Sequence, residues 1–315
     1  MIGTKTKHGV NEVADLRARL AHKDRLPAVV RSSPRMEWRF EAYRQLLQRL
    51  GHGDGMAEVM EVANRDFTDA AKASGDPSVY LATRAKAQGI VVYELDMQNL
   101  PSRAATLYIV GAYQQLDGFL QDLVAEVDSV CGRQSRGRNS KEGSTDWALD
   151  VLPGGRLKNI RRIWQERYLV LEYYRGVRNA FMHPSKSAAS LETAYRKAVE
   201  NRPLFEVDFG LEAPNPADSL TLDDFLLFTR MIKYAATDLC RIATPSNADV
   251  AAHADRQFQS HRSFHGLTWD TIRKPTAVKK VVRFYKHFDF DIESRPGLAE
   301  EIVDAKFAKV GRFDL

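Results

Sequence analysis

Cysteine is scarce in this 315-residue chain: Cys131 and Cys240 are its only two. They are too few for a disulfide framework or a cysteine zinc cluster, and are expected as reduced thiols with no redox role. Long hydrophobic runs are missing as well. Charge interrupts the longest apolar stretches within a few residues, and no hydrophobic block follows the polar, basic amino terminus. The expectation is a protein of the cytoplasm with no membrane partner. Charge of one sign is in short supply too, because 46 Lys and Arg stand against 41 Asp and Glu, a net +5. That balance favours a polyanionic partner only weakly.

Several catalytic signatures are absent. Gly154-Gly155 is not followed by Gly-Lys-Ser or Gly-Lys-Thr, so a phosphate loop and ATP hydrolysis have no support. His261 and His265 have helical ligand spacing, but Arg262 stands where a zinc protease carries glutamate, which makes them a structural or solvated pair. Asp223 and Asp224 open a helix and are explained by its dipole. Neither a metal nor a cofactor is expected.

What the chain does have is helical periodicity in a composition that is 44% hydrophobic, enough to bury a substantial core in one or two domains. The expected class is all-α. Helical patterns cover about residues 11–21, 36–50 and 56–73, punctuated by Pro27, Pro34 and the run Gly51-His52-Gly53-Asp54-Gly55, which is read as a linker. A strong repeat follows from Arg103 to Val130, carried by Leu116, Phe119, Leu120, Leu123, Val124 and Val127. Another helix spans Leu220 to Ile242, with Thr221 or Ser219 as its cap. Between them, Ser190 to Asn201 reads as helix, and the alternating run Leu204 to Phe209 as a short strand. Beyond Pro245 the segments 247–262, 275–288 and 298–309 read as weaker helices. The division expected is an accessory region 1–94, a bundle 95–245 and an extension 246–315. No internal repeat or long low-complexity segment interrupts it.

The candidate site lies in the bundle. From about Lys158 to His183, Ile160, Trp164, Leu171, Tyr174 and Phe181 recur at helical steps, and Arg178 falls in the same stripe. A guanidinium stays charged, so Arg178 needs a carboxylate, a phosphate or a solvated cleft. His183 ends the run, and Pro184 behind it disfavours helical geometry, which frees the imidazole to swing toward Arg178. Asp117 interrupts the apolar face of the earlier helix and could supply the carboxylate. In the purely structural alternative, Arg178 is salt-bridged to Asp117 and His183 only terminates the helix.

Basic residues cluster nearby in sequence. Arg133, Arg136, Arg138 and Lys141 occupy a Gly- and Ser-rich connection, and Arg156, Lys158, Arg161, Arg162, Arg167 and Arg175 follow. Among these, Arg156, Lys158, Arg161, Arg162 and Arg175 are the candidate RNA contacts. Tyr168, Tyr173 and Tyr174 are available for base stacking. A solvated helix face explains the same charges.

The order Arg178, Asn179, three variable residues, His183 resembles the motif of the HEPN superfamily of helical bundles, many of them metal-independent ribonucleases in toxin, antiphage and RNA-processing systems. The run Tyr113-Gln114-Gln115-Leu116-Asp117-Gly118-Phe119 looks like that family's first core helix, with aspartate where glutamate is frequent. The resemblance covers roughly residues 95 to 245. It implies a HEPN-like bundle with accessory helices at both ends. It also implies an endoribonuclease in which His183 moves protons, Arg178 stabilises phosphate charge, Asn179 orients the phosphate or the histidine and Asp117 holds Arg178. Family members commonly pair their motifs across a homodimer and serve as defence effectors or toxins, so a second copy and an antitoxin, a sensor subunit or a phage-derived trigger are the partners implied. A noncatalytic module binding RNA or a nucleotide is the alternative.

Overall fold

A computed structural model describes residues 36–92, 98–183 and 188–311. These residues form twelve α-helices: α1 (Glu41–Ala73), α2 (Pro77–Ala87), α3 (Leu100–Cys131), α4 (Ser144–Val151), α5 (Arg156–Arg162), α6 (Gln165–Met182), α7 (Ala188–Val199), α8 (Arg202–Phe209), α9 (Leu222–Ile242), α10 (Asn247–Ser260), α11 (Lys274–Lys286) and α12 (Leu298–Lys309). The all-α class is borne out. The one β-type pairing among the described residues is an isolated bridge between Trp38 and Phe290.

Periodicity explains the long helices. In α3, Ala105, Ile109, Ala112, Leu116, Leu120, Leu123 and Val127 recur at three- and four-residue steps and are all buried, so one continuous stripe drives the helix into the core. In α9, Phe225, Phe228, Ile232, Ala235 and Leu239 do the same. Local chemistry sets several starts. Asp76 accepts from the backbone N–H groups of Ser78 and Val79 to cap α2, and Ser246 and Asp249 form a reciprocal capping box on α10. At the start of α1, the Glu126 carboxylate of α3 takes the N–H groups of Glu41 and Ala42 at 3.0 and 3.1 Å. Burial pushes the Glu126 carboxyl above its usual range despite those bonds.

Three expectations are corrected. The glycine run 51–55 is not a linker: α1 passes through it unbroken. Helical glycine costs about 1 kcal/mol relative to alanine, but burial of Leu50 and Ala57 and the ion pair of Asp54 with Lys233 hold the segment in place. The Leu204–Phe209 strand is a helix. Pro203 sits in its first turn, and Gly210 closes it in the left-handed region at φ 65°. The single helix expected over 158–183 is two, α5 and α6, parted where Ile163 is fully buried and Trp164 turns to φ 72°. The segment 11–21 lies outside the described residues.

The chain forms two compact units that are not consecutive in sequence. The first draws on Gln48–Gln115 and Gln165–Lys233; the second draws on Leu116–Trp164 and on the described parts of Pro34–Leu47 and Tyr234–Leu315. In the first, Tyr173, Tyr174 and Phe228 are fully buried, and the Tyr174 and Phe228 rings lie 5.0 Å apart. The second is built around an aromatic nest in which Trp38 meets Phe290 at 4.9 Å, Tyr285 at 6.0 Å and His253 at 6.2 Å. Arg256 closes the end of α3 there, donating to the carbonyls of Val130 at 2.7 Å and Ser129 at 3.2 Å.

Candidate functional site

Helix α6 buries Val170, Leu171, Tyr173, Tyr174 and Val177, a stripe of mixed three- and four-residue steps. Arg178 lies one turn beyond Tyr174 on the edge of that stripe and is half-buried. Phe181, expected inside, is 47% exposed, and Met182 beside it is 49% exposed. The helix ends there. His183 is exposed, and its backbone N–H still donates to the carbonyl of Asn179 at 2.8 Å.

Arg178 is held by neighbours in its own unit. Its Nη1 donates to Asn179 Oδ1 at 3.0 Å, and its guanidinium carbon lies 5.6 Å from the centre of the Tyr113 ring. A planar cation over an aromatic face is partly compensated for lost water without being neutralised. Asp117, in the second unit, accepts from Arg138 Nη1 at 2.6 Å and Gln121 Nε2 at 2.9 Å, so the arginine it holds is Arg138. Arg178 and Asn179 are therefore in side-chain contact, His183 follows at the same helix end with only its backbone bonded to them, and Tyr113 is the support that the residue pattern did not single out.

Behind the motif lies a buried polar network. Tyr174 donates its hydroxyl to Asp224 Oδ1 at 2.8 Å. Asp224, fully buried, also accepts from the Asn215 backbone N–H at 2.8 Å, the Asn215 amide at 2.8 Å and the Thr221 N–H at 2.9 Å. Burial pushes its carboxyl above the usual range although each of these bonds pulls the other way. Burial and the adjacent Asp224 charge likewise push the Tyr174 hydroxyl well up. Tyr173 donates to the Asn215 carbonyl. Both tyrosines are thus framework groups, closed to stacking on a base, and Asp224 does more than answer the helix dipole. The spacing Thr221-x-x-Asp224, which fits half of a capping box, is the sequence signal for it.

The basic residues divide into two kinds. Arg136 pairs with Glu142 at 2.7 Å and Asp150 at 2.8 Å, Arg133 with Asp128 at 3.2 Å, and Arg156 with Asp146 at 2.8 Å. Arg175 is gripped by Glu172 at 2.6 Å. Much of the basic run is thus matched by carboxylates close in sequence. Lys158, Arg161 and Arg162 are exposed, in the second unit, while Arg175 belongs to the first. Arg167 is buried.

The histidine pair serves local structure. His261 Nδ1 accepts from the Ser263 N–H at 3.1 Å, and His265 Nε2 lies 3.2 Å from the Ser260 carbonyl. Among the described residues, no group of three His, Cys, Asp or Glu could hold a metal ion, and no helix is long and apolar enough to cross a membrane. No protein-family model, curated protein or solved structure matches the chain.

Proposed function

We propose that the chain is a HEPN-like endoribonuclease that cleaves RNA by attack of a ribose 2′-hydroxyl on the adjacent phosphate. One observation carries the reading: a guanidinium braced by an amide and an aromatic face, Arg178 on Asn179 and Tyr113, ends the same helix as the exposed imidazole of His183. Among the described residues no carboxylate neutralises Arg178, so its remaining N–H groups and full charge are available to a phosphate.

In this mechanism His183 takes the proton of the 2′-hydroxyl as the new P–O bond forms, and Arg178 stabilises the negative charge building on the nonbridging oxygens. The 5′-oxygen then leaves with a proton, giving a 2′,3′-cyclic phosphate and a 5′-hydroxyl. DNA lacks the nucleophile. One imidazole cannot serve as base and as acid in the same step, so two copies present their His183 regions to one cleft, one deprotonating and one protonating. The reaction uses no metal. Lys158, Arg161 and Arg162, exposed in the second unit, give that unit its own contacts for an RNA backbone. The role is that of an intracellular toxin or defence effector, restrained or triggered by an antitoxin, a sensor subunit or a phage product.

The test is cleavage of a labelled RNA pool in chelator by the wild type and His183→Ala at matched folding. Cuts ending in cyclic phosphate from the wild type alone support the nuclease. RNA binding without cutting by either protein instead supports the noncatalytic binding module, and the absence of both sinks the RNA reading.

A further inference from the structure

Helix α1 buries a narrow seam in the first unit, Leu50, Ala57, Glu61 and Ala71, spaced close to multiples of three and a half residues. Across the helix from this seam, two turns present Met56 at 68%, Val59 at 69% and Val62 at 61% exposure, with Met60, 53% exposed, on the flank toward the seam. Met56, Val59 and Val62, at three-residue steps, form a face rather than a scatter of single exposed groups. On its α3 side the face deepens into an apolar groove of about 460 Å³ lined by Met56, Leu107, Tyr108, Gly111 and Phe225. A Cβ placed on Gly111 or on Gly53 would meet nothing within 4 Å. The groove is therefore open ground beside the face.

Charge on the same face is graded along the helix. Arg49 and His52 precede the apolar turns, and Asp66 and Asp69 follow them. An identical helix laid parallel would set acid against acid, whereas an antiparallel one sets the basic end against the acidic end. With the twofold axis at Val59, His52 comes to the level of the second copy's Asp66, Met56 to the level of its Val62, and Val59 against itself. A face that is complementary to its own reversed image is what a twofold contact requires.

We propose that residues 52–66 of α1 form a homotypic, antiparallel contact with the same segment of a second copy of this chain, centred on Val59. The contact does not rest on the ribonuclease reading, because α1 carries none of the motif residues. It provides a second copy whatever the motif does with it.

Sedimentation of the full chain without RNA, from about 1 to 100 μM, tests it. The wild type is expected to dimerise in that range. Val59→Glu, at an exposed helical position, should raise the dissociation constant by roughly a hundredfold or more while leaving the circular dichroism melt unchanged. Asp66→Lys should weaken the dimer, and His52→Glu added to it should restore association. Val59→Cys should cross-link to itself under mild oxidation. A wild type monomeric throughout, or a dimer indifferent to Val59→Glu, overturns the proposal. So does a dimer broken by Phe181→Glu but not by Val59→Glu, which would place the contact at the motif end instead.

Discussion

The Tyr174 hydroxyl donates to Asp224 Oδ1 at 2.8 Å in a fully buried setting, one helical turn before Arg178. That bond ties the motif helix α6 to the start of α9. The oxygen it uses also receives the Asn215 N–H, while Oδ2 gathers the Asn215 amide and the Thr221 N–H.

Removing one donor from that carboxylate should therefore be costly. Tyr174→Phe is expected to lower unfolding stability by about 1–3 kcal/mol, measured by denaturant titration. Asp224→Ala should cost more, because it strands the Tyr174 hydroxyl together with the Asn215 and Thr221 donors. Equal, near-zero effects would mean that the network is not formed.

Arg178→Ala should be well tolerated by the fold. Among the described residues its braces are a neutral amide and an aromatic ring, so the substitution leaves none of their carboxylates without a partner, and the expected loss is about 1 kcal/mol by thermal melt. Cleavage should fall by about 10²-fold or more for the same variant. A variant that unfolds would point instead to an ion-paired, structural arginine.

His253 should give stability a pH dependence. Its ring sits among Trp38, Phe284 and Phe288, with Nδ1 3.3 Å from the Tyr285 hydroxyl, which itself donates to the Val250 carbonyl. Burial, aided by the Arg256 and His261 charges, pushes its pKa down from 6.5 to about 4. Between those values the unfolded chain binds a proton that the folded chain refuses. The contribution is thus complete above pH 6.5 and lost as the pH falls toward 4, by about 3 kcal/mol in all. Asp224 and Glu126, whose carboxyls are raised, act with the opposite sign, favouring the fold as the pH falls through the range where they take up protons. Unfolding curves of the wild type and His253→Leu at pH 7 and 4.5 separate the terms: the histidine's share of the slope should vanish in the variant.

The glycines at 51, 53 and 55 should be replaceable with profit. All three lie within α1, and a Cβ at each would meet nothing within 4 Å. Alanine at any one is expected to raise stability by about 0.5–1 kcal/mol. A loss at Gly53 would show that something closes over the groove beside it.

Much of the helical content was legible because long stripes leave little choice. The buried stripes of α3, from Ala105 to Val127, and of α9, from Phe225 to Leu239, fit only a helical period. The glycine run misled because propensity is a local preference, here outweighed by burial of Leu50 and Ala57 on either side. The Leu204–Phe209 run alternates for six residues, too few to separate strand from helix, and Pro203 and Gly210 were the better guides. The break at Trp164 had no glycine or proline to announce it. At the site, spacing placed Arg178, Asn179 and His183 on one helix end. It could not place Tyr113 beneath the arginine, since the two are far apart in sequence and meet only through tertiary packing. Nor could a count of arginines reveal that Arg136 and Arg156 already hold carboxylates.

Helices α1, α3 and α9 each contribute residues to both compact units, so three of the crossings between the units fall inside helices, while the crossing at Trp164 lies between α5 and α6. Modules that evolution shuffles, or that a protein engineer lifts out, are joined by segments that can be cut without breaking hydrogen-bonded turns. Here a cut at Leu47, Gln115 or Lys233 severs a helix in mid-course. The half bearing His183 and the half bearing the aromatic nest can therefore be transplanted only together, and a gene fusion that keeps one without the other begins with a broken rod.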